Sequence, residues 1–147
     1  MLKNILVPTD GSALSRKAAR QAIALAKAIG GRITVFHAAP AYRYTLYADY
    51  SPPEVGASRD YAARAKKIAQ RRLDAVSKIA AAAGVPCKTC YTISDFPADA
   101  IIRAAQKSKC DAIAMATHGR SRLSRMLLGS ETTKVLAQSK VPVIVMR

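Results

Sequence analysis

The chain has 147 residues, of which 50% are hydrophobic and 5% aromatic, with no tryptophan. That length predicts a single domain over residues 1–147, able to bury roughly 70% of its unfolded surface and to fold without staples. Its 24 Lys and Arg against 9 Asp and Glu leave a net charge of +15, which draws anions. No apolar run approaches the roughly 18 residues of a membrane span. The opening MLKNILVPTD is too short, and too interrupted by Pro8 and Asp10, for a signal peptide, so the expected location is cytoplasmic.

In chain order, KNILVPTD reads as a short buried strand over Ile5 to Val7, ended by Pro8. A turn, DGS, follows, in which Asp10 or Ser12 can cap a helix. SRKAARQAIALAKAIGG is an amphipathic helix with Ala18, Ala22, Leu25, Ala26 and Ile29 on its apolar face, stopped by Gly30 and Gly31. RITVFHAA is a strand that is apolar on both faces, as parallel sheets require. The irregular stretch from Ala39 to Ser58 carries Tyr42, Tyr44, Tyr47 and Tyr50 and the pair Pro52–Pro53. A stretch of that length suits a lid or binding segment. The next helix is expected from about Ser58 to Ala83, striped by Ala65, Ile68, Ala69, Val76, Ile79 and Ala83.

PCKTCYTI then reads as a strand, and DFPADAIIRAAQKSKC as a helix with Pro97 in its first turn, where proline is tolerated. DAIAMAT is a strand, SETTKVLAQSK a helix and VPVIVMR a last strand. The order β-α-β-α-β-α-β-loop-α-β predicts an α/β fold: a doubly wound, five-stranded parallel sheet with helices on both faces. Ligands bind such sheets outside the carboxyl ends of the strands, where the strand order reverses. PTDGS, HAAP and the stretch ATHGRSRLSRMLLGS all fall just past strand ends, so three loops share one rim.

The last of these stretches holds Gly119 and Gly129 with nine residues between them, then Ser130 and a helical pattern. Glycines let backbone N–H groups approach a ligand, and a helix start attracts anions. Arg120, Arg122 and Arg125 add cations. The same residues also describe a plain surface loop with a glycine corner and a serine cap, and spacing leaves both readings open. Asp10 likewise suits either a turn or cap residue or an acceptor for a ribose hydroxyl or base amino group.

Other chemistries lack their residues. Neither G-x-x-x-x-G-K-[ST] nor G-x-G-x-x-G occurs, so Walker-type ATPases and nicotinamide sites are unsupported. There is no G-x-S-x-G nucleophile elbow and no acid cluster for a catalytic metal. The two histidines, His37 and His118, both fall near the rim. Cys87 and Cys90 imitate a redox motif, but three strand residues span about 10 Å and point to opposite faces. A redox pair sits instead at a helix start. Cys110 reads as a core residue beside a strand.

Taken together, NILVPTDGS, ATHGRSRLSRMLLGSETTKVL and VPVIVM resemble the universal stress protein family over essentially the whole chain. That resemblance implies a Rossmann-like, adenine-nucleotide-binding fold. In the family an ATP-binding pattern runs Gly, two residues, Gly, nine residues, Gly, then Ser or Thr. Gly119, Gly129 and Ser130 match it, whereas its first position here is Ala116. By position, the resemblance places Pro8, Thr9 and Asp10 at adenine and ribose and Ala38 at the base. It places Gly119, Gly129, Ser130 and Glu131 around the phosphates, and counts Met115, Ala116, His118, Arg120 and Thr132 among the nucleotide-binding residues. The implied ligand is ATP or AMP, with or without magnesium, and no residue is assigned a catalytic or metal-binding role.

The resemblance further implies a homodimer through the last strand, Val141 to Met146, and a stress-response sensor or switch with at most slow ATP hydrolysis. Neither specific nucleic-acid binding nor a membrane partner is implied. Ala116 supports a second expectation, a nucleotide-independent dimeric interaction module of the same family. A third is salt-sensitive, nonspecific attraction of nucleic acid or an anionic surface through the basic helix ARAKKIAQRRLDAVSK.

Overall fold

The computed structural model describes residues 1–41, 58–118 and 128–147. Among the described residues nine elements alternate as expected: β1 (Asn4–Pro8), α1 (Ala13–Ala28), β2 (Arg32–Ala39), α2 (Ser58–Ala82), β3 (Cys87–Ile93), α3 (Pro97–Lys107), β4 (Ala112–Ala116), α4 (Ser130–Gln138) and β5 (Val143–Met146). The five strands form one parallel sheet in the order β3-β2-β1-β4-β5. The doubly wound fold follows from the alternation of Val/Ile-rich runs with helical ones.

The period of two along each strand sorts side chains between two helical layers. Ile5, Val7, Ile33, Val35 and Ala114 join Ala19, Ala22, Ile23 and Ala26 of α1 and Leu73, Val76 and Ala80 of α2. Leu6, Phe36, Ile113 and Met115 face the other way, onto Ala98, Ile101 and Ala105 of α3 and Val135 of α4. Alanines on the helices' inner faces let the backbones approach the sheet closely. Most of the packing volume therefore comes from the strands.

Two details of the helix stripes differ from expectation. Ile29 is 40% exposed, because α1 ends at Ala28 and Gly30, at φ +63°, turns the chain away. Ala19 and Ile23 take the buried positions on that face. On α2, Tyr61, Leu73 and Ala80 join the buried stripe, while Ile79 and Ala83 are only partly covered.

β1 is anchored at its start. Asp111 Oδ2 accepts from the backbone N–H groups of Lys3 and Asn4, both at 2.8 Å, and Asp111 N–H donates to the Asn4 carbonyl at 2.8 Å. The two backbone donors hold the Asp111 carboxyl below the usual carboxylate range. A folded-state pKa below the unfolded one contributes stability above the unfolded value and loses it as pH falls through the folded value. The Tm gap between the parent and Asp111→Asn should therefore be full near neutrality and shrink below about pH 4. Thermal melts at stepped pH check this; a gap that stays constant down to strong acid would remove Asp111 from the acid-labile contacts.

The C-x-x-C pair lies in edge strand β3, with Cys87 packed against one core cluster and Cys90 against the other. Burial pushes all three thiols above their ordinary value, the reverse of a redox-active pair.

Candidate functional site

Chain connections leave β1 toward β2 and β4 toward β5, on opposite sides, so the strand order reverses between β1 and β4. The carboxyl ends of these two strands frame the crevice in which such sheets bind ligands.

The β1 side is a tightly bonded turn. Thr9 N–H donates to the Phe36 carbonyl at 2.8 Å and extends the β1–β2 ladder by one residue. The Thr9 hydroxyl lies 3.2 Å from Ser15 Oγ and accepts from Gly11 N–H at 3.2 Å. Asp10 Oδ1 accepts from Ser12 N–H at 2.9 Å, and Ser12 Oγ caps α1 through Ser15 N–H at 3.1 Å. Of the two expected caps, Ser12 takes the helix and Asp10 takes the turn. Arg16 Nη1 donates to the Gly11 carbonyl at 2.6 Å and closes the turn from α1.

Beneath the turn lies an interaction that the sequence reading missed. His37, 2% exposed on β2, has Nδ1 at 2.7 Å from the Thr9 carbonyl. A carbonyl only accepts, so Nδ1 carries the proton. That leaves Nε2 of the neutral ring as an acceptor, and Arg72 Nη1 of α2 lies 3.4 Å from it. The Arg72 stem also packs against Gly11. One arginine thus braces both His37 and the turn. Its signal in the sequence is a charged residue on a stripe position, four residues beyond Ile68 and four before Val76.

On the β4 side Met115, Ala116 and Thr117 are buried, and His118, half-buried, places Nδ1 3.2 Å from Thr117 Oγ1. Thr117 N–H donates to the Met146 carbonyl at 3.1 Å, while the Thr117 carbonyl accepts from Gly129 N–H at 2.7 Å. That second bond pins the start of α4 beside the tip of β4. The expected site residues Gly119 and Arg120, and the cations Arg122 and Arg125, lie outside the described residues.

Gly129 is the N-cap of α4 and makes no side-chain cap bond, unlike Ser12 at α1. Ser130 is exposed in the first turn. The side chains of the next two expected residues have other partners. Glu131 Oε2 accepts from Ala98 N–H of α3 at 2.9 Å, and its Oε1 meets Lys134 Nζ at 3.0 Å. Thr132 is buried and donates through its hydroxyl to the Ala116 carbonyl at 3.0 Å. These two side chains hold α4 in place. Pro8, Thr9, Asp10, Ala38, Met115, Ala116 and His118 belong to the three strand ends at the rim.

Among the described residues no three His, Cys, Asp or Glu side chains are grouped so as to hold a metal ion. Nor, among them, is any helix long and apolar enough to cross a membrane.

The model of the universal stress protein family matches residues 1–147. The chain belongs to that family. A universal stress protein of Thermus aquaticus is 34% identical over 151 residues, covering 100% of both chains. One of Methanocaldococcus jannaschii is 34% identical over 152 residues, covering 100% of this chain and 83% of the relative. Solved structures share the fold at lower identity. A hypothetical protein whose biochemical function was assigned from its structure superposes with a TM-score of 0.82 at 23% identity, covering 99% of this chain and 96% of that one. A universal stress protein in complex with cAMP gives 0.73 at 22% identity, with 99% and 97% covered. One from Archaeoglobus fulgidus in complex with dAMP gives 0.68 at 18% identity, with 100% and 98% covered.

Proposed function

We propose that this universal stress protein binds an adenine nucleotide, ATP or AMP, in the crevice between β1 and β4 and acts as a homodimeric sensor or switch. One observation carries the reading. The start of α4 is pinned at Thr117, and its N-cap, Gly129, has no side chain to occupy the first-turn N–H groups. A helix start of that kind, at the strand-order reversal, suits a phosphate. The half-buried Asp10 and Ala38 at the neighbouring strand ends suit ribose and base. Structural neighbours that bind cAMP and dAMP give the proposed ligand its class.

A nucleotide there touches both the β1 turn and α4, so occupancy can be read from their separation. The proposed dimer forms along Val141 to Met146. β5 is a sheet edge of four half-buried apolar residues, Val143 to Met146, and an edge of that kind invites a second copy.

Ala116 favours a second reading, a dimer that works without nucleotide, because its methyl stands where the family's ATP-binding pattern has glycine. Calorimetry with ATP, AMP, cAMP and dAMP, each with magnesium and at ordinary and doubled salt, separates the two. One site per chain that survives doubled salt is the expected result. Binding that disappears with salt would be charge attraction to a +15 chain, and would select the second reading.

A further inference from the structure

The excess positive charge is not shared equally between the two helical layers. On α2 the cations Arg64, Lys67, Arg71 and Lys78 are exposed and recur on one outward stripe at helical spacing. On α1, which packs beside α2, Lys17, Arg20 and Lys27 repeat the pattern. The exposed acids of these two helices are Asp60 and Asp74. The opposite layer is close to balanced: Arg103, Lys107 and Lys134 stand against Asp99 and Glu131.

At 1.5 Å per residue the α2 stripe runs about 21 Å from Arg64 to Lys78, and the α1 stripe about 15 Å. Packed helices lie about 8–10 Å apart. Long Lys and Arg side chains on two neighbouring helices can splay to reach the two phosphate rows bordering a duplex groove about 12 Å wide.

We propose that the α1/α2 face binds the phosphate backbone of double-stranded nucleic acid without reading its sequence. The two amide side chains on these helices have partners within the protein: Gln21 Nε2 donates to the Arg147 carbonyl at 3.2 Å and Gln70 Nε2 to Asp74 Oδ1 at 2.8 Å, which leaves Lys and Arg heads to meet the phosphates. Among the described residues the exposed large apolar side chains are Met1, Ile29, Ile93, Phe96 and Leu136, and none lies within α1 or α2. A lipid-seating helix presents such residues beside its cations, so the face suits phosphates in water better than a membrane. The surface lies on one layer of the sheet, apart from the crevice, and does not depend on the nucleotide reading.

Anisotropy titrations of a labelled duplex of about 20 base pairs with the full chain, from about 50 to 200 mM salt, test this. Two unrelated duplex sequences should bind equally, with log K falling linearly in log salt. The triple variant Lys67→Gln, Arg71→Gln, Lys78→Gln should reduce that slope by about 3 and weaken binding at least tenfold at the lowest salt. The control Arg103→Gln, Lys107→Gln, Lys140→Gln removes the same charge elsewhere and should leave the slope within about 1 of the parent. Equal losses from both triples would mean that net charge alone is felt, and would overturn the proposal. So would tighter binding to phosphatidylserine vesicles than to the duplex at matched salt.

Discussion

Truncating Phe36 to alanine will destabilise the protein by about 3–5 kcal/mol and lower Tm on the order of 10 °C. Phe36 is 1% exposed and is the bulkiest fully buried side chain among the described residues. It packs in one cluster with Leu6, Ile101, Ile113 and Met115, beneath α3 and α4. Those helices contribute mainly alanines to the cluster, and a methyl cannot reach into the space that a lost ring vacates. The chain has only 2 phenylalanines, and the other, Phe96, is 67% exposed. Phe96 is therefore not placed to compensate. Urea unfolding with an unchanged m-value should report the loss. A cost under about 1 kcal/mol would mean that α3 settles onto the sheet and closes the cavity. The Phe36 carbonyl still accepts from Thr9 N–H after truncation, so the crevice turn should survive in the folded fraction.

The element order was legible because helix and strand periods alternate cleanly and because Gly30, Gly84 and Pro97 punctuate them. The rim was legible for a topological reason: parallel strands put all their carboxyl ends on one side. Side-chain partners were not legible. Glu131 directly follows a glycine-serine pair, and in sequence it reads as part of a phosphate site. Only the fold shows Ala98 N–H of α3 within 2.9 Å of its carboxylate. Thr132 has the same history, because its acceptor, the Ala116 carbonyl, is brought to it by β4.

The helix stripes show a finer limit. Periodicity located the apolar faces but not where they stop. Ile29 fits the α1 period, yet the helix ends one residue before it, and a stripe has no meaning beyond the last turn. Leu73 lies between Arg72 and Asp74, so charged neighbours masked an apolar position that is fully buried. Arg72 was hidden for the opposite reason: counted as one more cation in a basic run, it is the member of that run that turns inward to His37.

Gly11 is where that inward turn can be tested most sharply. Its φ of +80° is one that L side chains rarely adopt, and the strain of an added Cβ costs about 1–2 kcal/mol by itself. A Cβ at Gly11 would also stand 2.8 Å from Arg72 Nε and 3.1 Å from both Cδ and Cγ. Contact along the stem, rather than at the guanidinium tip, cannot be relieved by a small rotation of the end group. The whole side chain must move, and with it the 3.4 Å approach to His37. Gly11→Ala should therefore cost about 2–4 kcal/mol in the parent, the sum of backbone strain and the displaced arginine. In an Arg72→Ala background the collision is gone, and the same substitution should cost only the backbone share. Urea unfolding of the four proteins of this cycle measures the difference, expected at 1 kcal/mol or more. If the cost of Gly11→Ala is the same in both backgrounds, Arg72 does not brace the turn. The link from α2 through His37 to the rim of the proposed nucleotide site would then be lost as well.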